Sequence, residues 1–452
     1  MNKTALTFLI ILLTCSPEHA ISQRIPWDET AELAQNASHP SPKMRYRLIQ
    51  SKLLDRNEIW ATASDQIGGF TEEDYQKLKP LIHGQNILSI QSHILAGDLT
   101  YEKLTQWYLY RIVKYENDRD KALNCIIAIN PGAVSEARQR DRERSADDHP
   151  IYGIPVLLKD NIGMSGMPTT AGAAALTDNH TADAFIVERL KEKGAIILGK
   201  TNLSEWANYL SSACPNGYSA VGGQTLNPYG RRKFDTGGSS SGSGASMAAG
   251  YAAAAVGTET SGSILSPSSA SSVVGLKPTV GLLSRSGIVP LSGTLDTPGP
   301  MTGTVIDNAI LLSAMCGEDS TDAVTKDNPK NILYWKDLGE SSLKGMRFGV
   351  NKSFLSDSLY RVTVGQIVSM GGIAVEFELE KIVLEKFSTL LSADMKADLP
   401  AYLDRYAPEN IKYRTVNEIA AFNRADSIIR IPYGQTIFDG MIALEISDEE
   451  LL

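Results

Sequence analysis

Between Gly237 and Ser263 the chain reads GGSSSGSGASMAAGYAAAAVGTETSGS, in which a Gly/Ser turn stands at each end of a charge-free, alanine-rich segment too apolar to be exposed. Such turns bring backbone close to a ligand, aim N–H groups at a developing negative charge and present hydroxyls as nucleophile or proton relay. Together they predict a hydrolytic site fixed to one buried element. A flexible Gly/Ser linker would instead be flanked by polar, low-complexity sequence.

A serine hydrolase needs a proton acceptor. The Ser240-centred GSSSG matches the G-x-S-x-G elbow, but the fold that carries that elbow places its histidine after the serine. All six histidines here (His19, His39, His83, His93, His149 and His180) precede Ser240, and none sits in a recognisable motif. Other triad orders stay open. Lysine can also act as the base once burial lowers its pKa toward neutrality. Lys159 is the best candidate, because it closes the apolar run IPVLL and is therefore carried on a buried strand. Ser240, Ser241 and Ser243 read as turn and helix-capping residues, with Ser240 assisting through hydrogen bonds; Thr258 and Thr260 read equally well as structural. A second motif, GAIILGKT from Gly194 to Thr201, matches a phosphate-binding loop by letter. Its four intervening residues are an apolar strand core rather than a loop, so nucleotide binding is not expected.

The elements that must hold these residues alternate. NCIIAIN, GIPVLLKD and AIILGK read as strands, AVSEARQRDRERS, ADAFIVERLKEKG and NLSEWANYL as helices. TEEDYQKLKPLI starts a helix at Thr71 with an acid three residues on, the pattern of an N-cap. Farther on, VVGLKP, IVPL, MRFGVN and IAVEFEL read as strands, DNAILLSAMCG as a helix, and the end from Leu399 as mainly helical. This order predicts an α/β sandwich with helices on both faces of a mostly parallel or mixed sheet.

Composition narrows the functional class. With 452 residues, 42% of them hydrophobic and 21% charged, the chain can bury a large core. Its net charge of -9 argues against a nucleic-acid partner. Lys3 followed by LTFLIILL has the form of a secretory signal, assigned to residues 1–22, and the run is too short to span a membrane, which takes ~20 apolar residues. Export to the periplasm or medium is expected, with lipid anchoring through Cys15 as the variant on that theme. Residues 23–70 read as an N-terminal helical arm and 71–452 as the main domain. Cys125, Cys214 and Cys316 are too few and too scattered for a disulfide framework or a zinc pattern and read as small buried hydrophobes.

From about Ile87 to Gly317, KDNIGMSGMPTTAG, GAIILGKTNLSEWA, GGSSSGSGA, GTETSGSI, VVGLKPTVGLLSRSGIVP and LDTPGPM follow in an order that closely resembles the amidase signature family, nearest to its peptide amidase-like bacterial members. A weaker likeness continues through FNRADSIIRIPYGQ. The resemblance implies a three-layer α/β/α sandwich with a large mixed central sheet. It also implies a catalytic triad of Lys159, Ser239 in cis peptide linkage after Gly238, and Ser263, with the N–H groups of Thr260, Ser261, Gly262 and Ser263 as oxyanion hole. In that scheme Ser263 attacks the amide carbonyl, Ser239 passes its proton to neutral Lys159, and water later cleaves the acyl-enzyme. The implied function is an exported serine amidohydrolase that cleaves C–N bonds of peptide or other small amides without metal or organic cofactor. Two departures stand out: Ser261 where the family often has Gly, and an end at MIALEISDEELL where members usually continue through a segment that helps complete sheet and pocket. The rival readings are a catalytically idle binding protein on this scaffold, and an amidotransferase-type component that works on charged transfer RNA with a partner.

Overall fold

The computed structural model describes residues 28–145, 148–329, 332–339, 342–380 and 384–445. The expected signal and Cys15 lie outside them. At the centre is a six-stranded mixed sheet built from β1 (Ile126–Ile129), β2 (Pro155–Lys159), β3 (Ile196–Thr201), β6 (Ala254–Glu259), β7 (Val274–Gly275) and β8 (Thr297–Thr302); a small antiparallel ribbon, β4 (Tyr218–Ser219) with β5 (Gly223–Gln224), stands apart. Across the sheet the strands lie in the order β1-β3-β2-β6-β8-β7. The pairs β2/β3 and β2/β6 run parallel, whereas β1, β7 and β8 join antiparallel. Every residue of β2, β3, β6 and β8 is buried, which is why β2 and the first half of β3 read as continuous apolar runs without alternation.

The connections set the layers. From β2 the chain moves outward to β3 through the helix Phe185–Glu192, then returns past β2 to β6 through the helix Ser241–Ala248. Right-handed crossovers in opposite directions place these two helices on opposite faces of the sheet. The helix Val305–Met315 packs with Phe185–Glu192, and the helix Ser241–Ala248 lies on β2, β3, β6 and β8, so the α/β/α sandwich expected from the sequence is present. Parallel β2 and β6 send their outgoing connections in opposite directions, and the crevice beyond the carboxyl ends of such a pair is where open α/β sheets bind ligands. Lys159 ends β2, and Thr258-Glu259 end β6.

Several local readings need correction. The alanine-rich stretch is two elements, not one: residues 241–248 form the helix, and Ala254 and Ala255 open strand β6 after a turn. The helix read in NLSEWANYL is a single distorted turn, Glu205–Asn208, with Trp206 and Ala207 in the left-handed region. IVPL forms no strand, only a bridge from Ile288 to Ile162. MRFGVN and IAVEFEL do become strands, β9 (Arg347–Asn351) and β10 (Ile373–Phe377), but they pair with each other in parallel outside the central sheet. Thr71 caps its helix through a full capping box with Asp74. In the arm, residues 28–70 pack onto the body: Gln224 donates its N–H to the Ile49 carbonyl, and Arg47 donates to Tyr433 and Pro432. Cys125, Cys214 and Cys316 are free and buried. Among the described residues no helix is long and apolar enough to cross a membrane.

Candidate active site

Lys159 is fully enclosed, and its Nζ stands 2.7 Å from Ser239 Oγ, 2.8 Å from Thr258 Oγ1 and 3.1 Å from the Thr258 carbonyl oxygen. Burial pulls its pKa down from the usual lysine value to about 7, while the charges of Asp296 and Glu259 pull the other way. An amine that is substantially neutral near pH 7 can accept a proton. The lysine of GKT on β3, Lys200, is equally buried but has other company: its Nζ lies 3.6 Å from Asp160 Oδ1 and donates to the Ile162 carbonyl. It belongs to a buried ion pair in a strand, as the rejection of a phosphate loop requires.

The two serine-bearing turns meet. Gly237 has φ +88°, a left-handed conformation open to glycine, and turns the chain into Ser239. A Cβ on Gly238 would come within 2.8 Å of Ser263 Cα, so the first turn packs directly on the backbone of the second. Ser240 N–H donates to the Ser263 carbonyl, and Ser204 N–H donates to that of Ser239. Ser240 Oγ donates to the Thr258 carbonyl and accepts from Thr258 N–H, so this serine splices the turn to β6, in keeping with a supporting role. Ser241 and Ser243 do not cap the helix by side chain; Ser243 Oγ instead donates to the Val256 carbonyl.

Three expectations change here. The Gly238–Ser239 bond is trans, as are all peptide bonds among the described residues, and the contacts of Ser239 with Lys159 and Ser204 orient it. Ser239 and Ser263 are brought together by backbone packing but not by a hydrogen bond between their hydroxyls: Ser263 Oγ has no protein partner among the described residues. Catalytic hydrogen bonds commonly tighten only with substrate present. Finally, Gly262 N–H is not free for an oxyanion, because it donates to Glu259 Oε1 at 2.7 Å. The N–H groups of Thr260, Ser261 and Ser263 have no protein acceptor among the described residues, which leaves three of the four expected donors available.

Two acids that the sequence reading did not single out build this loop. Glu259 is buried, and its carboxylate gathers three backbone donors: Gly262 on one oxygen, Ile264 at 2.7 Å and Leu265 at 2.9 Å on the other. Asp296 accepts from the N–H groups of Leu291 and Ser292 and from Thr260 Oγ1, and burial raises its pKa. One signal was present: Glu259 is the sole charge between Gly237 and Ser263. A buried charge in such company must have partners. Glu259→Gln exchanges one acceptor oxygen for an NH₂ that faces N–H donors; it should cost about 1–3 kcal/mol of stability, read from the denaturant midpoint, and displace Ser263 enough to lower kcat. Unchanged stability and rate would show that the loop holds itself.

The comparisons with known proteins agree with this fold. The family model described as Amidase matches residues 103–427. The structure of an amidase family protein from Bacillus anthracis str. Ames superposes with a TM-score of 0.84 at 39% identity, over 89% of this chain and 81% of that one. Native peptide amidase from Stenotrophomonas maltophilia gives 0.75 at 38% identity, over 82% and 77%. A glutamyl-tRNA(Gln) amidotransferase subunit from Lawsonia intracellularis is 35% identical over 303 residues, 65% of this chain and 60% of that one. Matches to the curated relatives span from 52% to 72% of those proteins' own length. With the family model covering most of the chain and its serine-rich core in place, this protein belongs to the amidase family.

Proposed function

We propose that the chain hydrolyses C–N amide bonds through an acyl-enzyme, with Ser263 as nucleophile, Ser239 as proton relay and Lys159 as base. The observation that carries this is the 2.7 Å approach of a fully enclosed lysine amine to Ser239 Oγ, beside the backbone of Ser263. Ser263 Oγ bonds to the amide carbon, its proton moves to Ser239 Oγ, and the Ser239 proton moves to Lys159 Nζ. The tetrahedral oxyanion is met by the N–H groups of Thr260, Ser261 and Ser263. Each key donor of this kind is worth ~2.7–4 kcal/mol in other hydrolases. The C–N bond then breaks as the relay runs backwards and protonates the leaving amine, and water releases the acid by the same path. Similarity to peptide amidase supports peptide or other small amides as substrates. The N-terminal sequence supports export, with or without a lipid on Cys15.

The likeness to an amidotransferase component supports a second reading, in which this site supplies ammonia to a partner. One experiment separates them: the purified chain alone is treated with a fluorophosphonate probe, the modified serine is mapped, and release of ammonia or amine is followed on a panel of peptide, amino-acid, aryl and fatty amides. Labelling at Ser263 with turnover of any amide is expected. Labelling at another serine, or no turnover without a partner, overturns the first reading.

A further inference from the structure

We infer that Thr258 is a positioning residue that keeps the lone pair of Lys159 on Ser239, by accepting the amine's two N–H groups, one on its carbonyl oxygen and one on its hydroxyl. The inference rests on the lysine-driven reaction proposed above. Beyond its bond to the side chain, Nζ has three directions for hydrogen bonding, and three atoms lie along them: Ser239 Oγ, Thr258 Oγ1 and the Thr258 carbonyl. A carbonyl oxygen only accepts, so one N–H goes there. A neutral amine then has one N–H and one lone pair for two hydroxyls. Only the arrangement with N–H on Thr258 and lone pair on Ser239 lets Ser239 hand over its proton.

Thr258 is held to this task from several sides. Its backbone is tied at both N–H and carbonyl to Ser240 Oγ. Its hydroxyl oxygen also accepts from Asn161 Nδ2 at 3.0 Å, and Asn161 is itself anchored where Val289 N–H donates to its carbonyl. Thr258 and Asn161 are both buried, so no water need be displaced to set the geometry. Without the hydroxyl, the amine can turn an N–H toward Ser239 and make that oxygen an acceptor, the wrong polarity for a relay. Once the proton has arrived, the ammonium's three N–H groups find three acceptors. The charged groups acting on this amine are Asp296, ahead of β8, and Glu259, at the end of β6; the neighbouring Asp160 carboxylate is turned to Lys200 and Thr170.

The test compares Thr258→Val, which removes the hydroxyl at nearly constant shape, with Thr258→Ser, which keeps it; wild type and Ser263→Ala run in the same amide assay. Thr258→Val should lower kcat roughly 10–100-fold with KM unchanged. It should also move the acidic limb of kcat down by about one pH unit, because an acceptor is lost that favours the ammonium over the amine. Thr258→Ser should restore both. Where the valine variant does not fold, Thr258→Ala carries the same expectation. Wild-type kcat with an unmoved limb in the hydroxyl-free variant, or a serine variant as impaired as valine, overturns the inference. Inactive wild type or active Ser263→Ala instead overturns the catalytic reading beneath it, so the two failures are distinct.

Discussion

Ser263→Ala is expected to lower amide turnover by about 10⁴- to 10⁶-fold, the range over which serine hydrolases lose rate when the nucleophile is removed. Covalent labelling by a fluorophosphonate should vanish with it. Stability should hardly move, because Ser263 Oγ makes no protein hydrogen bond among the described residues, and the loop that carries it is fixed by Glu259 through backbone donors. The thermal midpoint is therefore the control: an unfolded variant would lose activity for an uninteresting reason. Ser240→Ala makes the contrast. That hydroxyl bridges both backbone groups of Thr258, so its loss should cost stability of about 1–3 kcal/mol and leave Ser263 able to form an adduct. A Ser263→Ala protein with wild-type turnover, or a Ser240→Ala protein that folds normally but takes no label, would move the nucleophile to the G-x-S-x-G serine.

The chemistry was more legible than the geometry that orders it. Lys159 could be read as a buried base because five apolar residues lead into it, and a parallel strand covered on both faces leaves just that trace. Strand β3 was legible for the same reason, β1 from its short apolar run, and the helices between them from one apolar face at three- and four-residue spacing. The alanine-rich stretch misled, since small residues suit a strand under a close-packed helix as well as a helix, and Gly250 breaks the run where composition gives no period. The turn at Glu205–Asn208 was hidden because its left-handed start is held by a tertiary hydrogen bond, Trp206 N–H to the Ala171 carbonyl, that no local propensity announces. Glu259 and Asp296 escaped notice since their partners are backbone N–H groups, which every sequence has, joined at Asp296 by one hydroxyl, that of Thr260. The engagement of Gly262 follows from Glu259 and could be seen only with it.

Replacing Lys159 should act on rate and on stability with opposite pH signatures. In the wild type, activity requires the neutral amine, so kcat/KM should fall tenfold per pH unit below an inflection near 7, the pKa that burial imposes. Lys159→Met removes the base and should reduce turnover by several orders of magnitude at every pH, leaving no such limb. For stability, the unfolded chain binds the lysine proton up to its ordinary pKa of 10.5, whereas the folded chain releases it at about 7. Between those values the unfolded state holds more protons, so folding stability gained from this group rises with pH by at most ~1.4 kcal/mol per unit, and below about 7 the enclosed ammonium carries its full penalty. Methionine has no such penalty at any pH. The variant should therefore be more stable than wild type at pH 6, with the advantage shrinking as pH climbs toward 10. Chemical denaturation of both proteins across that range measures the difference directly. A stability gap that stays constant with pH, together with a wild-type rate that shows no acidic inflection, would mean that the amine at the end of β2 keeps its proton and that some other group takes the one from Ser263.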